Sequence, residues 1–112
     1  MKKAVEIVQE QLEYYNQHDL EGFVSVYADH VKIYHLIDQT IMMEGKEELR
    51  ERYKERFEVL KVHAELENRI VIGNKVIDHE CVSGLIAEGV IKAVAIYETA
   101  DDLIQNVWFL YE

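Results

Sequence analysis

The sequence contains no proline and a single cysteine among its 112 residues. Without proline no turn is locked by a ring and no helix or strand carries a built-in break, so element ends have to be read from glycine, asparagine and aspartate. The lone Cys81 excludes an internal disulfide. Neither C-x-x-C nor H-x-x-x-H spacing occurs, which removes the usual zinc patterns, and His30, His35, His63 and His79 are scattered. No metal and no cofactor is expected. No apolar run approaches the ~20 residues of a membrane helix, so no membrane partner is expected. Lys2 and Lys3 are followed by Glu6, Gln9, Glu10 and Glu13 instead of an apolar signal core, which makes a cytoplasmic location the expectation.

Positive charge is also scarce. Twelve Lys plus Arg stand against twenty-two Asp plus Glu, a formal charge of −10 that repels phosphate backbones and argues against a nucleic-acid partner. The one basic cluster, Lys46 to Arg56, is interleaved with Glu47, Glu48, Glu51 and Glu55, which suits a solvated helix face with close ion pairs.

What is present is enough for one core. Hydrophobic residues make up 49% and aromatics 10%, and no Gly/Ser linker or repeat divides the chain, so one domain over residues 1–112 is expected. Residues 4–17 have helical spacing, and Asp19 is an N-cap for a short second helix reaching about Ala28. Residues 31–36 alternate as a strand that puts His35 on the same face as Ile33, and a short strand is predicted at 40–43. A third helix over 46–59 shows Leu49, Tyr53 and Phe57 on one face. From Val62 onward β-branched residues dominate, predicting strands at 62–72, 75–87, 90–99 and 103–111 joined by short turns. Helices early and a meander late describe an α+β domain with about three helices covering one face of a mostly antiparallel sheet.

Taken in order, Tyr15-Asn16-Gln17-His18-Asp19-Leu20-Glu21-Gly22-Phe23, Tyr27-Ala28-Asp29, Ile33-Tyr34-His35, Glu44-Gly45-Lys46-Glu47-Glu48-Leu49-Arg50, Val82-Ser83-Gly84 and the closing strand from Ile104 to Trp108 resemble the nuclear transport factor 2-like superfamily. The spacing is similar to its SnoaL-like and ketosteroid-isomerase-like branch. That resemblance implies a cone-shaped domain, a hydrophobic pocket between the helices and a strongly curved sheet, and a homodimer built on the sheet. It also implies that His35 occupies the position of the isomerases' catalytic carboxylate. An imidazole there has the chemistry of a general base.

The same resemblance puts Gln11 where the isomerases have an oxyanion-holding tyrosine, and Val94 or Ala93 where they have a protonated aspartic acid. Both donors are therefore missing, and because losing one commonly costs about two to three orders of magnitude in rate, steroid isomerisation itself is disfavoured. Tyr15, one turn beyond Gln11, and Tyr53 on the third helix are alternative donors. Strand parity taken from the resemblance turns Ile77, His79 and Cys81 towards the pocket and Val76, Asp78, Glu80 and Val82 away from it, an arrangement that a slip of one residue would reverse. The last strand is apolar on both faces, so either Trp108 or Phe109 lines the pocket.

The expected site thus consists of His35 as the catalytic base, with Gln11, Tyr15, Tyr53, His79 and Trp108 around a small apolar ligand. Two functions follow from it. One is an isomerase, cyclase or lyase type of enzyme acting on an apolar carbonyl compound, and the other is a non-catalytic ligand-binding or dimerising module.

Overall fold

The computed structural model describes residues 2–112. Helix α1, Ala4–Gln17, buries Ala4, Ile7, Val8, Gln11, Leu12 and Tyr15 along one stripe at spacings of three and four. It stops at His18, which adopts a left-handed φ of 58°. Asp19 then accepts the Gly22 amide at 3.0 Å and caps α2, Leu20–Ser25. Asn16 ties this corner to the sheet, accepting from the Ala64 amide at 2.8 Å and donating to the Ala64 carbonyl at 3.0 Å.

Helix α2 is shorter than its apolar stripe predicts. Strand β1, Tyr27–His35, starts at Tyr27 because this residue pairs with Ile104, and the Ile104 amide donates to the Val26 carbonyl at 2.9 Å. A partner almost eighty residues away thus overrides local helical spacing. β2, Ile41–Glu44, and α3, Lys46–Glu55, follow. The helix predicted over 46–59 changes character at Arg56: residues Arg56–Leu60 form a π-helical turn, which Lys61 ends with a φ of 55°. Strands β3, His63–Ile72, β4, Lys75–Ser83, β5, Val90–Ala100, and β6, Leu103–Tyr111, complete the chain.

The six strands form one sheet in the order β2-β1-β6-β5-β4-β3. Every neighbouring pair is antiparallel except β1 with β6, which is parallel. Residues paired across strands share a face, so the register sorts the side chains. One row runs His35, Phe109, Ala95, Asp78, and the next runs Tyr111, Ala93, Glu80. These rows lie on the side covered by the helices, where the core packs. Within that core the rings of Tyr15, Phe23, Tyr53 and Phe57 meet with centroids between 4.6 and 6.2 Å apart.

The opposite face carries an apolar row of Tyr34, Trp108, Ile96, Ile77 and Ile70 across five strands. Tyr34 and Trp108 stack at 5.6 Å, with their planes 14° apart.

Candidate functional site

Between the helices and the covered face of the sheet lies a cavity of about 30 Å³. α1 contributes Gln11 and Tyr15, α3 contributes Tyr53, and the π turn contributes Arg56. The sheet supplies Glu80 from β4, Ala93 and Tyr97 from β5, and Phe109 and Tyr111 from β6. Arg56, Leu85, Phe109 and Tyr111 are the partly exposed members of this lining and form its mouth.

Gln11, Tyr15 and Tyr53 stand on the cavity wall, in keeping with their helical faces. Gln11 is buried, and its Oε1 accepts hydrogen bonds from the hydroxyls of Tyr97 at 2.9 Å and Tyr27 at 3.3 Å. A buried amide on an apolar stripe is thereby satisfied on its acceptor side, while its Nε2 has no acceptor among the described residues. Burial raises the pKa of all three tyrosines Tyr15, Tyr27 and Tyr97, keeping their hydroxyls protonated as donors.

His79 and Trp108 are corrections. Strand β4 runs in the opposite parity to the one predicted: Val76, Asp78, Glu80 and Val82 are buried under the helices, and Ile77, His79 and Cys81 point to the other face. Trp108 pairs with Ile96 and stacks on Tyr34, also on that outer face, and its neighbour Phe109 takes the place in the cavity wall.

His35 keeps the predicted parity, since it pairs with Phe109. It nevertheless sits at the exposed end of β1 and borders a separate, open groove with Ile37, Asp38 and Thr40. Phe109 and Tyr111 line both that groove and the cavity, and so form the partition between them. His35 is therefore not brought together with Gln11, Tyr15 and Tyr53.

Two acids that the predicted parity turned outwards are the polar centre of the inner face. Asp78 is completely buried and forms a bidentate pair with Arg69, Nε to Oδ1 at 2.7 Å and Nη2 to Oδ2 at 2.9 Å. Arg69 also donates to Gln9 of α1 at 2.8 Å, which ties that helix to the sheet. Glu80 lies one row closer to the mouth, is only 6% exposed, and has no hydrogen-bond or ion-pair partner among the described residues. Burial first and the Asp78 charge second push its pKa up to about 7, against a smaller lowering by Arg69.

The alternation Val76-Ile77-Asp78-His79-Glu80-Cys81-Val82 puts apolar side chains on both faces, so period two alone does not decide which face is inside. The signal that Asp78 is inside is a basic partner on the neighbouring strand, Arg69, and that pairing exists only once register is formed.

The fold and this walled cavity define a helix-covered, open-sheet cone. The SnoaL-like domain family matches residues 8–107, and the chain belongs to that family. A cystatin-fold protein from Novosphingobium aromaticivorans superposes with a TM-score of 0.87 at 23% identity, covering 98% of this chain and 99% of the other. A SnoaL-like protein of unknown function from Burkholderia thailandensis gives 0.79 at 18% identity, covering 97% and 93%. A candidate ketosteroid isomerase from Kribbella flavida gives 0.84 at 12% identity, covering 97% and 77%. At these identities the likeness is one of fold. No curated protein matches the sequence.

Proposed function

We propose that this SnoaL-like domain binds a small, mostly apolar carbonyl compound in the cavity and moves a proton there through Glu80. The observation that carries this reading is the Glu80 carboxyl itself. It is buried, without a protein partner, on the wall of a cavity lined mostly by aromatic and aliphatic side chains, and burial pushes its pKa up to about 7. A carboxylate of that pKa is a stronger base than an ordinary glutamate and is present in both protonation states at neutral pH.

The step it suits is removal of a proton from the carbon next to a ketone. The C–H electron pair becomes the enolate π system, the proton goes to Glu80, and the charge that grows on oxygen meets the free Nε2 donor of Gln11. Where the ketone carries a β,γ double bond, the enolate is a dienolate, and return of the proton from Glu80 to the γ-carbon shifts the double bond and completes an isomerisation. A solved structure of the same fold is a candidate ketosteroid isomerase, which is the same class of proton transfer, although the donors of that reaction are replaced here.

The test is deuterium uptake at the α-carbons of butanone and cyclopentanone, followed by proton NMR in deuterated buffer. The wild-type protein is expected to accelerate exchange at least tenfold over buffer, and Glu80→Gln is expected to abolish the gain while His35→Gln retains it. The reverse pattern returns the role of base to His35 in its open groove. Ketone binding without exchange supports a second reading, a non-catalytic binding module, which is favoured by the small cavity and by the commitment of the Tyr27 and Tyr97 hydroxyls to Gln11. The outer apolar row centred on Trp108 is proposed as the surface of a homodimer, because no helix among the described residues covers it and the resemblance implies pairing through the sheet.

A further inference from the structure

The described residues hold seven ion pairs, involving Lys2, Lys46, Arg50, His63, Arg69 and Lys75, and none of them includes Arg56. This is unexpected on charge statistics alone, since the chain has twenty-two acids to twelve bases. Arg56 is partly buried at the cavity mouth, with its guanidinium carbon 4.6 Å from the centroid of the Tyr53 ring. Glu80 lines the same cavity but makes no ion pair with it. Arg56 is also the first residue of the π-helical turn, an uncommon backbone form that recurs at functional sites. An always-charged planar group, half removed from water, stacked on an aromatic ring and paired with no carboxylate, keeps N–H donors at the cavity mouth beyond those that meet the Tyr53 and Tyr111 hydroxyls.

From this arrangement we infer that the carbonyl ligand is a short-chain keto acid, its carboxylate seated on Arg56 at the mouth and its ketone and apolar body inside between Phe109, Leu85 and Val82. The proposal rests on the reading of the cavity as a small-molecule site and deepens it by naming the ligand class. Guanidinium matches carboxylate with two parallel hydrogen bonds, which a neutral ketone or amide does not offer. Volume limits the rest of the ligand. About 30 Å³ holds roughly two water molecules, and hence about two or three non-hydrogen atoms beyond the group at the mouth. A four-carbon acid fits that allowance, and a steroid or fused-ring polyketide does not.

The other ionisable groups facing this space are Glu80, Tyr15, Tyr53, Tyr97 and Tyr111, with Asp78 behind Glu80 and neutralised by Arg69. The tyrosines are neutral because burial raises each of them. Glu80 is the one group whose charge opposes an incoming carboxylate, so at pH 6, below its titration but above that of a free carboxylic acid, the opposition is reduced while the ligand stays ionised.

The experiment is titration of the isotopically labelled protein with butyrate, butyramide and butylammonium at pH 6 and constant ionic strength, read by amide and arginine Nε chemical shifts. Butyrate is expected to saturate shifts at Arg56, Leu85 and Phe109 at concentrations at least tenfold below butyramide, with butylammonium silent. Arg56→Gln is expected to bring butyrate and butyramide within twofold of each other, and Arg56→Lys to keep part of the preference. Equal binding of butyrate and butyramide to the wild-type protein overturns the carboxylate inference and leaves the cavity reading standing. So does an unchanged preference in a folded Arg56→Gln variant. If no probe shifts any cavity residue, both readings fail together.

Discussion

Ionising Glu80 inside the folded domain works against the fold, and the sign of the effect follows from its two pKa values. Unfolded, the carboxyl titrates near 4.5, and folded near 7. Below pH 4.5 both states hold the proton. Between 4.5 and 7 the folded state alone retains it, so unfolding releases a proton and stability falls as pH rises through that window, levelling off above 7. The gap corresponds to about 3 kcal/mol. Glu80→Gln removes this dependence, and its stability relative to wild type is expected to improve by about 3 kcal/mol between pH 4 and pH 8 in urea denaturation. A difference between the two proteins that stays constant with pH would falsify the assignment of a raised pKa to Glu80. Both oxygens of the neighbouring Asp78 are occupied by Arg69, whereas those of Glu80 are left for the cavity.

Among the elements, the segment between β4 and β5 meets the end of the π turn that Arg56 begins. Gly84 has a φ of +90°, and a Cβ built there would lie 2.9 Å from the Val62 Cα and 3.1 Å from the carbonyl oxygens of Leu60 and Lys61. These are backbone atoms and cannot swing aside, and the backbone angle is itself unfavourable for any side chain. Gly84→Ala is expected to cost about 1–3 kcal/mol in thermal or urea unfolding, and to displace Leu85 at the cavity mouth, visible as amide shift changes at Arg56 and Phe109. A variant as stable as wild type, with an unchanged mouth, would show that the turn between π helix and β3 yields more easily than its backbone contacts indicate.

For the molecule as a whole, the outer face is where the proposed dimer is to be tested. The row Tyr34, Trp108, Ile96, Ile77 and Ile70 is built from residues that alternate with the cavity wall, so a single charge can test it without touching the site. The wild-type protein is expected to sediment as a dimer, and Trp108→Glu as a monomer with its near-neutral carboxyl titration at Glu80 intact. A wild-type monomer at micromolar concentration, or a dimer that survives Trp108→Glu, would remove this face as the dimer interface. His79 and Cys81 lie on the same outer face, which is why their proximity in sequence creates no nucleophilic site in the cavity.

Local pattern alone determined most of the architecture. Period 3.6 around Val8, Leu12 and Tyr15, the Asp19 cap, and period two after Val62 specify three helices over a meander, because each depends on neighbours a few residues away. The same pattern put Gln11, Tyr15 and Tyr53 on inward helix faces, where a helix with one apolar stripe has no second choice. Only the tertiary structure decided which face of a strand is inside. β4 and β6 are apolar on both sides, so their parity was set by contacts far away in the chain: Asp78 with Arg69 across the β3–β4 ladder, and Phe109 with His35 across the parallel β1–β6 pair. Those contacts moved the candidate proton-transfer group from His35 to Glu80 and left Arg56 at the mouth with tyrosine hydroxyls but no carboxylate beside it, because burial and pairing are properties of the assembled cone.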